Sequence, residues 1–184
     1  MARSCARHAP ADYRCSSPQT PSRNATRAAT NANGSSADFV CRAREQFKGI
    51  DAALDSAGFV AAVRYGEYQW EVEDYLDLVA SFPWTWWAAM DYCCEPQLAA
   101  DRPLRLLRMA ATVARYETCA SAARRRGLSA PMPVLQGWTV PEYLLSLDWL
   151  ALEPTPAMLG VGSVCRRNVR GPDGVLEIID ALDR

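Results

Sequence analysis

Four short segments of this chain each place a chemically capable residue directly after an apolar run. Leu54 is followed by Asp55-Ser56-Ala57-Gly58-Phe59, and Met90 by Asp91-Tyr92-Cys93-Cys94-Glu95. Leu135 leads into Gln136-Gly137-Trp138, and Val161 into Gly162-Ser163-Val164-Cys165-Arg166-Arg167. A carboxylate can move a proton or accept the N–H groups of a ligand, and a primary amide offers one donor end and one acceptor end. Paired guanidinium groups beside a glycine turn suit a phosphate. The candidates are therefore Asp55 and Asp91 as carboxylates, Ser56, Gln136 and Gly162 as binding groups, and Arg166 and Arg167 as a phosphate-binding pair. Each has a plainer reading beside it. Asp55 and Asp91 could cap the segments that follow them, Gln136 could be a turn residue, and the arginine pair could be solvated. Arg124-Arg125-Arg126 closes a helix, where cations complement the dipole, and the Trp84, Trp86, Trp87 cluster suits packing better than base stacking.

Composition removes several chemistries. His8 is the only histidine, so neither a Ser-His-Asp triad nor a multi-histidine metal site can be built from this chain alone. The seven cysteines are odd in number, include the adjacent Cys93 and Cys94, and form no CxxC pair. That pattern is neither a disulfide framework nor a zinc ribbon, and it is expected of buried or incidental thiols in a reducing cytosol. A formal net charge of −1 excludes a uniformly basic nucleic-acid coat and leaves a localised basic face open. No apolar run approaches the roughly 18 residues of a membrane span, so no transmembrane helix is expected, and the thiol pattern points to a cytoplasmic setting. Gly160-Val161-Gly162 lacks the third glycine of a dinucleotide fingerprint, and no serine sits between its glycines as a nucleophile elbow requires.

The elements that must position these groups follow from periodicity. Residues 1–36 hold five arginines against Asp12 alone, and Ser16–Ser36 is dominated by Ser, Thr, Pro, Asn and Gly. This stretch cannot bury enough surface to offset chain entropy and is expected to be a disordered tail. It carries glycosylation sequons at Asn24 and Asn33, which such a composition produces by chance. Strands are expected at 51–54, 84–90, 132–136 and 157–161. A glycine-containing loop is expected through Gly58 and Gly66, then helices over 70–80, 102–126, 139–150 and from Gly171 onward. Thr139-Val140-Pro141-Glu142 is a capping box, and Gly127 stops the long helix. Four strand–helix units in succession predict an α/β fold with a parallel sheet, in barrel or doubly wound form. In either form ligands meet the C-terminal ends of the strands, where the candidate residues lie.

Taken in order, the four segments resemble the queuine/archaeosine tRNA-guanine transglycosylase superfamily. Leu54-Asp55-Ser56-Ala57-Gly58-Phe59 is similar to its L-D-S-G-G-F segment, with Ala57 in place of the first glycine. Met90-Asp91 resembles a strand end of that superfamily, Pro133-Val134-Leu135-Gln136-Gly137 its V-Q-G segment, and Leu159-Gly160-Val161-Gly162 its G-x-G segment. The wording around Gln136 and Gly162 is nearer the DpdA-like branch, which modifies DNA with deazapurines. The resemblance implies a (β/α)₈ barrel and a base exchange in which guanine leaves a nucleic acid, DNA or tRNA, and a 7-deazaguanine enters. It implies Asp55 as the acid/base acting on the base, and Asp91 as acceptor for the guanine N1–H and amino group. Gln136 and the backbone N–H of Gly162 would address the base carbonyl, with Ser56 steadying the base or Asp55.

The same resemblance sets limits. The superfamily's nucleophilic carboxylate and its structural zinc site belong to the second half of the barrel, so no cofactor is expected within this chain. Residues 48–184 would be the N-terminal half, an incomplete (β/α)₈ barrel of about four units. The 148 residues after the tail fall short of the roughly 250 typical of a complete barrel. The expectation is a fragment, one product of a split gene or a misread start, with a partner chain as a possible completion. Two other readings stay open: a catalytically inactive purine-binding half-barrel, and an unrelated sugar-phosphate-binding barrel enzyme that uses the Gly160–Arg167 turn.

Overall fold

Among the described residues, four very short parallel strands carry the fold: β1 (Ala53–Leu54), β2 (Trp86–Trp87), β3 (Val134–Leu135) and β4 (Gly160–Val161). The computed structural model describes residues 49–184, all within the unit Ser35–Arg184. The expected tail, both sequons, and Cys5, Cys15 and Cys41 lie outside the described residues. Helices α1 (Gly58–Tyr65) and α2 (Val72–Ser81) separate β1 from β2, and α3 (Arg102–Arg125) separates β2 from β3. Helix α4 (Val140–Leu150) precedes β4, and α5 (Val175–Leu182) follows it.

Strand β1 pairs with β2 in the register Ala53↔Trp86 and Leu54↔Trp87, and β3 pairs with β4 as Val134↔Gly160 and Leu135↔Val161. A single parallel bridge, Ala88↔Met132, connects the two pairs. Its backbone bonds run from Met132 N–H to the Trp87 carbonyl (2.8 Å) and from Ala89 N–H to the Met132 carbonyl (2.9 Å). Alternating helices and two small parallel sheets are consistent with a partial α/β barrel, and the described residues form no closed one. Among them, no helix is long and apolar enough to cross a membrane.

The helices over 70–80, 102–126 and 139–150 form within two residues of their expected bounds, and the last helix begins at Val175, four residues after the Gly171 turn expected to start it. In α2, Val72, Tyr75, Leu76 and Val79 form the buried stripe, and Glu71 with Asp74 makes a reciprocal cap. Helix α3 starts on Asp101, whose carboxylate accepts the Leu104 N–H at 2.9 Å. It ends on Gly127 at φ +66°, where Leu128 N–H bonds the Ala123 carbonyl and Gly127 N–H the Arg124 carbonyl. That left-handed turn satisfies two carbonyls the helix would otherwise leave free. Trp87, Met90, Leu76, Cys119 and Ala123 pack in one core cluster, and Leu135, Tyr143, Leu150 and Ile178 in a second. Tyr116 of α3 packs against both.

One expectation is corrected. The segment through Gly58 and Gly66 is not a loop: residues 58–65 form α1, so β1 is followed by two helices. Its inward face consists of the small residues Gly58 and Ala61, while Val60, Val63 and Tyr65 are exposed. Apolar periodicity therefore points the wrong way, because close approach to the neighbouring strand end, not bulk, defines the buried side. The strands are also shorter than their apolar runs suggest, with only two residues of each in regular pairing.

Glu142 ties α4 to α3. Its carboxylate, on a residue 2% exposed, receives Arg105 Nε on both oxygens at 3.0 Å and the N–H groups of Trp138 and Thr139 at 2.8 and 3.2 Å. Burial alone would push the Glu142 carboxyl up. The Arg105 contact and the two backbone donors outweigh it and hold the group below the usual carboxylate range. A lowered folded-state pKa stabilises the fold at pH above the unfolded value of about 4.3, and that contribution fades as pH falls through the folded pKa. Glu142→Ala is expected to cost about 2–3 kcal/mol in urea unfolding near neutral pH, because it removes the Arg105 partner and the acceptor of two backbone N–H groups. The difference from the parent should shrink in acid. A second expectation concerns Ala57, which holds φ 57° at the start of α1, a left-handed conformation that penalises a side chain. Ala57→Gly should raise stability by up to about 1 kcal/mol, read as a higher urea midpoint.

Candidate functional site

The strand ends converge on Asp91. Ser56, two residues past β1, donates from Oγ to Asp91 Oδ1 at 2.5 Å. Gln136, directly after β3, donates from Nε2 to Asp91 Oδ2. Tyr68 approaches from the segment between α1 and α2: its hydroxyl donates to the Asp91 carbonyl (2.9 Å), accepts the Asp91 N–H (3.1 Å) and lies 3.0 Å from Ser56 Oγ. Past β4, Ser163 Oγ lies 2.7 Å from Gln136 Oε1 and 3.0 Å from Glu95 Oε2, and it accepts the Cys94 N–H at 2.7 Å. One polar network thus joins residues from all four strand ends.

Two glycines make this closeness possible. A Cβ on Gly58 would sit 2.6 Å from the Asp91 carbonyl oxygen and 2.7 Å from Asp91 Oδ1. A Cβ on Gly162 would fall 2.1 Å from Gln136 Nε2. The backbone at both positions is packed directly onto the polar cluster, which only glycine permits.

Above the network lies a cavity of about 200 Å³. Asp55, Phe59, Asp91, Cys93, Glu95 and Cys165 line it, with Met132, Val134 and Gly160–Ser163 forming its strand-side wall. Three carboxylates face this space and, among the described residues, no lysine, arginine or histidine lines it. Burial pushes the Asp91 carboxyl up; bonds from Ser56 and Gln136 oppose that shift, and the nearby Asp55 and Glu95 carboxyls add to it. Burial likewise raises the Tyr68 hydroxyl and the Cys93 thiol, and carries Cys94 up to about 12, so these groups stay neutral. A larger hollow of about 350 Å³ beside the end of α4 contains none of the strand-end groups.

The candidate residues fare differently. Asp91 faces the cavity, and Asp55 is exposed at its edge, with Oδ2 accepting the Ala57 N–H at 3.0 Å. Ser56 and Gln136 are buried beneath and orient Asp91. The Gly162 N–H, expected to meet a ligand carbonyl, instead donates to the Leu135 carbonyl at 2.9 Å within the β3–β4 pairing. Gly162 therefore enters the site through its missing side chain. Arg166 is exposed with its guanidinium 4.7 Å from the centre of the Phe59 ring. Arg167 is built into the fold: it stacks on Trp138 at 3.9 Å and donates from Nη1 to the Trp138 and Asp173 carbonyls. Glu95 and Ser163 stand in the post-strand segments but carried no assigned role, and Tyr68 has no sequence signal because it lies far from any strand end. Cys93, Cys94 and Cys119 are buried free thiols, and Cys165 is an exposed one. Among the described residues, no group of three or more His, Cys, Asp or Glu side chains is placed to hold a metal ion.

Gly58→Ala should destabilise the fold by about 1–3 kcal/mol although it replaces glycine in a helix, since the added methyl meets backbone. Thermal unfolding of the variant checks the sign; a gain in stability would contradict the tight packing of α1 on Asp91.

A comparison with protein-family models matches residues 38–184 to DpdA, "DeoxyPurine in DNA protein A". No curated protein and no solved structure matches the chain. The family match spans every described strand and helix and the whole Asp91 network, and at the family level it supports a transglycosylase-type, nucleic-acid-related function. The chain belongs to the DpdA family.

Proposed function

We propose that this chain supplies the purine-binding face of a base-exchange transglycosylase, which replaces guanine in nucleic acid with a 7-deazaguanine. DNA is the favoured polymer and tRNA the other candidate. The observation that carries the reading is Asp91, a carboxylate on a residue 8% exposed that faces a cavity from a strand end. Guanine and its 7-deaza analogues present a ring N–H and an exocyclic amino group side by side. A carboxylate accepts both, and in a desolvated site such paired bonds are strong. Ser56 and Gln136 hold the carboxylate in one orientation, so the acceptor pair is preorganised.

Size and lining agree with a single base. About 200 Å³ is below the roughly 300–1,000 Å³ of pockets for drug-sized ligands. Phe59 offers a ring on the cavity wall against which a flat heterocycle can stack. Asp55, at the edge and solvent-accessible, is assigned the acid/base role on the departing or arriving base. In this reading residues 48–184 act as the N-terminal half of a barrel, and the carboxylate attacking the sugar belongs to the other half, in a partner chain or elsewhere. The setting is the cytoplasm. An inactive purine-binding half-barrel would share the same pocket and differ only in failing to exchange bases. The sugar-phosphate reading is weakened by Arg167, whose Nη1 is bonded to two backbone carbonyls and whose Nη2 is buried, leaving the exposed Arg166 alone to meet a phosphate.

Calorimetric titration of the 184-residue chain with guanine and with 7-cyano-7-deazaguanine tests the pocket. Binding is expected, with a loss of at least about tenfold, or 1.4 kcal/mol, on Asp91→Ala. Binding indifferent to that substitution would refute the assignment. Sugar-phosphate binding that survives Asp91→Ala but fails in Arg166→Ala would move the function to the phosphate-binding class.

A further inference from the structure

Glu95 has no part in the purine reading. Yet it is 4% exposed, lines the same cavity as Asp91 and is joined to it through Gln136 and Ser163. Ser163 has one hydroxyl proton, which cannot serve both Gln136 Oε1 and an anionic Glu95. Gln136 is fully buried, so an Oε1 left without a donor has no water to replace it.

Two polarities satisfy every group. In the first, Asp91 is the anion: the Gln136 amide N–H donates to it, and the Ser163 hydroxyl donates to Gln136 Oε1. A proton on Glu95 is then donated to Ser163 Oγ, which also takes the Cys94 N–H. In the second, the amide is turned over. Asp91 holds the proton and donates it to the amide oxygen, the amide N–H donates to Ser163 Oγ, and Ser163 donates to an anionic Glu95. Both arrangements hold one proton and one negative charge, and they differ in which carboxyl carries the charge. We propose that Glu95, acting through Ser163, is a positioning residue that sets the direction of the Gln136 amide and thereby whether Asp91 faces the cavity as an anion.

The ligand in this inference rests on the purine reading; the shared proton does not. A base offering two N–H groups selects the first polarity, because only an anionic Asp91 accepts both. Burial acts on both carboxyls and does not choose between the two polarities; the amide as it stands, with Nε2 on Asp91 and Oε1 on Ser163, is that of the first. Of the other groups that act on the pair, Tyr68, Tyr75, Tyr143, Cys93 and Cys94 are all shifted upward, chiefly by burial, and stay neutral. Asp55 adds a repulsive carboxyl at the cavity edge. On the α3 side, Arg105 is paired with Glu142 and Arg108 donates to the Cys93 carbonyl.

Carboxyl-carbon NMR titration of the ligand-free 184-residue chain tests the shared proton directly. The Asp91 signal is expected to move through two steps, as a site coupled to a second one does. In Glu95→Gln, whose amide can still donate to Ser163, Asp91 should titrate in a single, displaced step. An Asp91 curve that is a single step in the parent and unchanged in Glu95→Gln overturns the proposal, whether or not any purine binds. Guanine calorimetry from about pH 5 to 9 gives the functional arm. Affinity in the parent should fall on the alkaline side, where loss of the shared proton leaves Gln136 Oε1 without a donor. Glu95→Gln should remove that fall while staying within about threefold of the parent's best affinity, whereas Ser163→Ala loses about tenfold. Identical pH profiles in parent and Glu95→Gln overturn the proposal.

Discussion

A carboxylate buried where four strand ends meet is the constraint on which this structure depends. Asp91 is taken out of water, and an isolated charge there would be very unfavourable. The fold offsets that cost locally with a hydroxyl from Ser56, an amide from Gln136 and a backbone clamp from Tyr68. Each donor comes from a different connecting segment, so forming the cluster requires the strands to be in register. The strands have only two paired residues each, and ladder hydrogen bonding alone defines them weakly. The polar network and the helix packing outside it supply the rest of the alignment.

The same arrangement leaves the site short of stability. The upward shift of the Asp91 carboxyl means that ionising it in the folded protein is disfavoured, so stability declines as pH rises through the interval above the ordinary aspartate value. Glu142 behaves oppositely, because Arg105 and two backbone donors more than offset its burial. One buried carboxylate is satisfied by the fold and strengthens it. The other is only partly satisfied and faces a cavity, as expected of a group whose remaining acceptor capacity is meant for a ligand.

Close backbone approach is a second constraint on the site. Gly58 and Gly162 let backbone pack on Asp91 and Gln136 without an intervening methyl, and Ala57 takes a left-handed turn to bring α1 in at that angle. The resulting α1 shows its valines to solvent and its smallest residues to the site. Its exposed valines are consistent with a surface helix whose position is dictated by the polar cluster and not by an apolar face.

Much of this was legible in the sequence, for identifiable reasons. Periodicity located α2, α3, α4 and α5, the capping box at Thr139–Glu142 and the Gly127 stop, because those signals are local and depend on neighbours three or four residues apart. The post-strand positions of Asp55, Asp91, Gln136 and Gly162 were also legible, since a parallel α/β order puts them on one rim. What only the tertiary structure decided was partnership across long sequence separations. Helix α1 was hidden because its buried face is defined by Asp91, more than thirty positions away. The Gly162 N–H was consumed by Leu135, Arg167 by Trp138 and Asp173, and Glu95 was joined to Asp91 through Ser163. Residue type and spacing determined which groups could do chemistry. Which of them keep a free donor or acceptor depends on who else has bonded them, and only packing in three dimensions decides that.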